Sequence, residues 1–393
     1  MTTKAHFTRW KNRDAIALDN GVLRAVALAG GGHLAELRLV NALGSSCNAL
    51  WEAPWPTADP DSQHFAELSE QYGGTPAGPF LAGFTGQALC LDTFGPPDTE
   101  DEARGATLHG EACLQTWKMT PTSDGCTMEV ELPRAKLHFS RNLRLGEGQS
   151  ALFVHEQLVN TGSASRELHW VQHVTLGPPL LARGQSCVEA SVDACRTWPL
   201  GYEGKALLPD NAEFAWPRAR TLLNREQDLR LPFQSRSKGF VLAARVHPAK
   251  QIGFIVALNW KLRLALLYCF RREDFPWIAI WEENGARTAA PWRGTAKIRG
   301  MEFGSTPMPL GKAAIRAMGS LFETPSARVV PAGGMHAARY VACLATIPSQ
   351  LRNVKTVEIA ENTLVLNGAG AEDRIVIPAA GVRQFLLTNG DRN

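Results

Sequence analysis

The chain has 393 residues, of which 45% are apolar and 20% charged, a balance that can bury a sizeable core and excludes wholesale disorder. Lys and Arg total 41 against 38 Asp and Glu, and the resulting charge of +3 is spread without a basic run, which argues against nucleic acid as the main partner. No apolar run approaches the roughly 18 to 20 residues of a membrane span, and the opening MTTKAHFTRWKNRDA lacks the apolar core of a signal peptide, so a cytoplasmic protein with no membrane partner is expected.

Along the chain, short apolar runs recur between Gly, Pro, Asn and Asp. VLRAVALAG (22–30), LHFSRNLRL (137–145), ALFVHEQLV (151–159), GFVLAARV (239–246), IGFIVALNW (252–260) and LALLYCF (264–270) are the clearest. Several alternate apolar with polar residues, as half-buried antiparallel strands do; others are continuously apolar, as strands between two layers are. Turn signals such as DNG at 19–21, SDG at 123–125 and NTGS at 160–163 separate them at sandwich-like intervals. The fold class is therefore all-β, a large antiparallel sandwich with long loops and few short helices, and residues 1–393 read as one domain. The stretch from 52 to 80, rich in Pro, Gly and acidic residues, reads as a long surface excursion with one short helix, of the kind that shapes a binding site. Eight widely spaced cysteines without a C-x-x-C pair read as reduced, buried thiols.

Three places combine titratable groups with a strand context. In LHGEA (108–112), His109 and Glu111 are two apart and would share one face of an extended strand. His173 stands in the apolar run WVQHVTLGPP, and Glu302 interrupts the apolar strand IRGMEFG just before a Gly-Ser-Thr-Pro turn. A strand histidine is more often a hydrogen-bonded core residue than a catalyst. A carboxylate between Met301 and Phe303, by contrast, either faces solvent or is buried with a partner. An H-x-E pair with a distant histidine could also ligate a metal, but the spacing is not diagnostic, and no metal or cofactor is expected.

In order, these segments resemble the galactose mutarotase-like superfamily, which includes the aldose 1-epimerases. DNGVLRAVALAGGGHLAEL resembles its first hairpin, LHGEA its Leu-His-Gly-Gly segment, and HEQLVNTGSASRELHWVQHVTLGPPLL its second histidine strand. FPWIAIWEENGA and IRGMEFG are similar to the strands that lead to the catalytic glutamate, and VVPAGGMHAARYVACLA to the closing strand pair. The resemblance implies a β-super-sandwich that opens and closes an aldose ring, with Glu302 as base, His173 as acid and His109 as a hydrogen-bond donor to the substrate. A small carbohydrate is then the partner. Glu302, rather than Glu282 or Glu283, is the implied match.

Departures touch substrate recognition. The family's arginine ahead of the first histidine has no counterpart in LAGFTGQALCLDTFGPPD, and its Asp-His-Asn segment reads QSRSKGF. Arg287 and Arg299 are the candidates to replace the arginine, and Glu111 is a further substrate-binding candidate. Among 11 tryptophans, Trp170, Trp277, Trp281 and Trp292 lie near the candidate strands, and Trp281 is the preferred platform for a sugar's C–H face. A neighbouring Glu302 is expected to hold His173 charged near neutrality. Two other readings remain open. One is a catalytically silent carbohydrate-binding protein. The other is a lyase or hydrolase using a second carboxylate, Glu111, Glu282 or Glu283, across from Glu302.

Overall fold

A computed structural model describes residues 3–42, 47–103, 105–370 and 373–388. Alternation along the strands sends one face of each into a common core, and among the described residues two large antiparallel sheets enclose it. The first has twelve strands. Its centre runs Gln87–Asp92, Arg166–Leu176, Lys297–Gly304, Trp277–Asn284 and Lys238–Val246, with four amino-terminal strands beyond Gln87–Asp92. The second has eight, centred on Leu264–Arg271, Met335–Thr346, Ala151–Asn160 and Leu137–Leu145. The fold is the expected all-β sandwich.

Between the sheets lie Leu89, Leu168, Trp170, Val174, Ile280, Met301 and Phe303 from the first, and Phe139, Val154, Tyr268, Phe270 and Tyr340 from the second. Phe303 stacks flat on Phe270 with ring centres 4.4 Å apart, which joins the layers directly beneath Glu302. A buried polar chain crosses the same space. Glu156 accepts from Arg141 Nε (2.7 Å), Trp170 Nε1 (3.1 Å) and Gln172 Nε2 (2.6 Å), while Gln87 donates to Gln172 (2.9 Å) and Tyr340 (2.8 Å). These bonds satisfy groups that would otherwise be buried at a cost, and they hold the strand Arg166–Leu176 in place.

Both outer faces are covered. The excursion at 52–80 is more structured than expected. Its two short helices, Gln63–Gln71 and Gly78–Gly83, close over the outside of the first sheet, and Trp55, Phe65, Leu68, Phe80 and Phe84 pack with Val241, Trp281 and Ile298. On the far side, the strands Thr356–Ile359, Thr363–Asn367 and Arg374–Pro378 with the helix Val382–Leu387 cap Phe153, Val256, Leu267 and Val341 of the second sheet. All eight cysteines are buried and unpaired. Among the described residues no helix is long and apolar enough to cross a membrane.

Candidate active site

The outer face of the first sheet, beneath the two short helices, carries the site. In Arg166–Leu176 the even-numbered Trp170, Val174 and Leu176 enter the core, so His173 points the opposite way. Gln172 lies opposite Phe303 and Thr175 opposite Gly300, a register that sets His173 across from Glu302. The flanking partners are small: Ala88 pairs with His173, and Ala279 with Glu302. Room is thereby left above the sheet for the two side chains to meet, and His173 Nε2 lies 3.3 Å from Glu302 Oε1. Gly300 has the same function from below, because a Cβ there would come within 2.2 Å of Glu302 Oε1.

His109 reaches the same cavity from a loop. The expected strand is absent. His109 adopts a left-handed backbone (φ 66°), Gly110 follows at φ 85°, and Glu111 leads a single 3-10 turn, Ala112–Leu114. A side chain at Gly110 would strike Leu91 O at 2.1 Å, so the chain can make this close approach only with glycine. The unusual conformation of His109, worth on the order of 1–3 kcal/mol, is held by a reciprocal pair of bonds. Its backbone N–H donates to Gly95 O (3.0 Å), and the Gly95 N–H donates to His109 Nδ1 (3.2 Å). With Nδ1 accepting, the imidazole proton is on Nε2. The His109 and His173 rings meet edge to face at 5.2 Å.

These groups line a cavity of about 130 Å3 whose other walls include Phe80, Phe84, Val241, Trp281 and Trp292. Such walls decide the protonation states. Burial holds His173 down to about 3, and it pushes Glu302 well above the usual carboxylate range. His109 is held well below 6.5, first by burial and then by His173 and Arg287. The expectation of a charged His173 is therefore corrected: desolvation favours the neutral imidazole. A hydrogen-bonded neutral pair contains the same number of protons as the ion pair without separating charge in an apolar cavity. Thr175 favours one tautomer. Its hydroxyl donates to the His173 carbonyl (3.4 Å), leaving its oxygen, 3.0 Å from Nδ1, to accept. In that arrangement Nδ1 donates to Thr175, and Nε2 is left facing Glu302.

No protein-family model matches the sequence, and no curated protein does. Solved structures do. A proposed aldose 1-epimerase from Klebsiella pneumoniae superposes with a TM-score of 0.61 at 13% identity, over 87% of this chain and 82% of its own. A galactose mutarotase-like protein from Clostridium acetobutylicum gives 0.55 at 12%, over 88% and 99%. A proposed aldose 1-epimerase from Escherichia coli K12 gives 0.54 at 12%, over 88% and 100%. The chain has the galactose mutarotase-like fold.

On this galactose mutarotase-like scaffold the remaining candidates separate. Trp281 and Arg287 line the cavity. The Trp281 indole donates to Tyr202 Oη (2.8 Å), which donates to Glu283 (2.7 Å), so the ring plane is fixed from behind. Arg287 lies over the rings of Tyr202 (5.1 Å), Trp281 (5.5 Å) and Trp292 (5.1 Å). Two candidates lie elsewhere. Arg299 is three residues from Glu302 on the same strand and so faces the core, where it pairs with Glu282 and donates to Leu229 O (2.7 Å). Glu111 turns away from His109 and accepts from the backbone N–H groups of Arg134 and Ala135 (3.1 Å each). Its side chain pins the turn between the strands Gly125–Leu132 and Leu137–Leu145. Trp170 and Trp277 are core residues. Of the three carboxylates weighed as a second acid, none is among the residues lining the cavity.

Sequence reasoning missed Trp198, Phe80 and Phe84, all of which line the cavity. The aromatic spacing in GPFLAGF (78–84) was the available signal, since four residues on a helical path bring two rings to one face.

Proposed function

We propose that the chain is an aldose 1-epimerase-like enzyme that interconverts the α and β anomers of a sugar. The observation that carries this reading is the Glu302–His173 pair, facing at 3.3 Å across neighbouring strands in a mostly apolar cavity with the His109 ring beside it. The names of the structures it superposes on point the same way. Trp281 and Trp292 supply the aromatic walls on which a sugar's C–H face loses water favourably.

Ring opening needs a base for the C1 hydroxyl proton and an acid for the ring oxygen. The resting pair holds one movable proton, on Glu302. Transfer of that proton to His173 Nε2 yields a carboxylate and an imidazolium without exchange with solvent. Glu302 then takes the C1 hydroxyl proton as the C1–O5 bond breaks and C1=O forms, and His173 delivers its Nε2 proton to O5. His109 Nε2–H donates to O5 or a neighbouring hydroxyl. Rotation about C1–C2 and the reverse transfers close the other anomer. Each positioned acid or base typically contributes about 10²–10⁴-fold.

Two-dimensional NMR exchange spectroscopy on candidate sugars tests this. Wild type speeds anomer interconversion, and Glu302→Gln, which keeps the shape but cannot accept the proton, removes the gain. If the wild-type protein binds a sugar yet leaves its exchange at the buffer rate, the reading fails and a silent binding protein takes its place.

A further inference from the structure

The polar groups of the cavity are unevenly divided between donors and acceptors. Its acceptors are His173 Nε2 and Glu302, which face each other. Its donors are more numerous and less occupied. His109 offers Nε2–H, because Nδ1 is taken by Gly95. The Arg287 guanidinium makes no hydrogen bond among the described residues, and its Nε is buried. Two carboxylates form ion pairs with that Nε without hydrogen-bonding to it. Glu203, at 3.5 Å, is 68% exposed and worth little. Glu283, at 3.9 Å, already accepts from Tyr202 Oη and from the backbone N–H groups of Ala286 and Arg287.

A neutral hexose fits this inventory poorly. Each of its hydroxyls brings a proton that needs an acceptor, and a buried polar group left unpaired costs about 1–3 kcal/mol. A carboxylate brings acceptors only, together with a charge that a guanidinium matches in a two-point fork. Tyr202, Trp281 and Trp292 already hold the Arg287 plane, so little rotamer freedom is lost when the fork closes. We propose that Arg287 forms a carboxylate seat in this cavity, and that the substrate is an acidic sugar, a uronate, rather than a neutral hexose. The sugar half of this assignment rests on the function proposed above; the carboxylate half rests on the Arg287 guanidinium, which lines the cavity and makes no hydrogen bond among the described residues.

Calorimetric titration of the full chain with galacturonate and glucuronate, beside galactose, glucose and their 6-phosphates, tests the seat. Exchange spectroscopy on the same compounds runs in parallel. A uronate binds about 10- to 100-fold more tightly than its parent hexose, the span expected for a charge-assisted pair. Arg287→Gln abolishes that difference. Arg287→Lys, which keeps the charge but loses the fork, retains part of it. Equal affinity for uronate and hexose, a preference for the 6-phosphate over the uronate, or a preference that survives in a folded Arg287→Gln protein would each overturn the proposal. Arg287-dependent uronate binding without accelerated exchange leaves the seat standing and refutes the mutarotase reading. Accelerated hexose exchange without uronate preference does the opposite.

Discussion

Gly300→Ala adds one methyl group beneath the site, and the structure states where it goes. The new Cβ would be 2.2 Å from Glu302 Oε1 and 3.1 Å from its Cδ, and the three atoms nearest to it all belong to that side chain. Ordinary contact lies well beyond 3 Å, so the carboxyl oxygen must retreat by about 1 Å. The 3.3 Å approach to His173 Nε2 is then lost or lengthened. A displacement of that size costs roughly 10²-fold in rate. Stability changes little, within about 1 kcal/mol, since the clash falls on the free end of a side chain and alanine lowers the entropy of the unfolded chain. Exchange spectroscopy on any sugar that wild type accelerates, paired with urea unfolding, measures both quantities. A normally stable Gly300→Ala protein with full exchange activity would show that Glu302 does not act from its place above this glycine, and the geometric argument for the base would fall with it.

The protonation states predict how stability follows pH. His173 has a folded value of about 3, below the 6.5 of an unfolded chain, so its contribution is present above pH 6.5 and is lost as pH falls toward 3. Urea midpoints for His173→Gln between pH 7 and 3 should therefore fall less steeply than for wild type. Glu302 has the opposite sign. Its folded value is raised, so stability is present below about pH 4.5 and is lost as pH rises. Glu302→Gln should therefore be more stable than wild type at neutral pH, and a less stable variant there would mean that Glu302 is ionised in the folded protein. Glu111→Ala removes the acceptor for two backbone N–H groups and should cost about 1.5–3 kcal/mol in urea unfolding. It should leave exchange per folded molecule unchanged; a selective loss of rate would return Glu111 to the site.

Much of the site was legible because strand geometry is periodic. His173 and Glu302 each sit on a strand whose alternate residues are core formers, so both had to face the same outer surface once the strands paired. The same parity could have set Arg299 aside, since three residues along a strand reverse the face. Glu111 was misplaced for a different reason. A two-residue spacing implies a shared face only in extended backbone, and the left-handed His109–Gly110 turn removes that condition. Phe80, Phe84 and Trp198 were harder to place, because their approach to the cavity depends on where a loop folds back.

What the sequence by itself determined is the alternation of core and surface along each strand, the turns between them, and hence an all-β sandwich; that His173 and Glu302 meet on one face follows from the strand register. Those properties follow from local sterics and from which side chains water rejects. Only the tertiary structure decided the closing of the 52–80 segment over that face and the delivery of His109 from a turn. It also placed Arg287 among three aromatic rings, with Glu203 and Glu283 as its ion-pair partners. The neutral Glu302–His173 pair belongs to this second group. A pKa in a buried site is set by how much water the surrounding walls remove, and those walls are assembled from segments more than 200 residues apart in the chain.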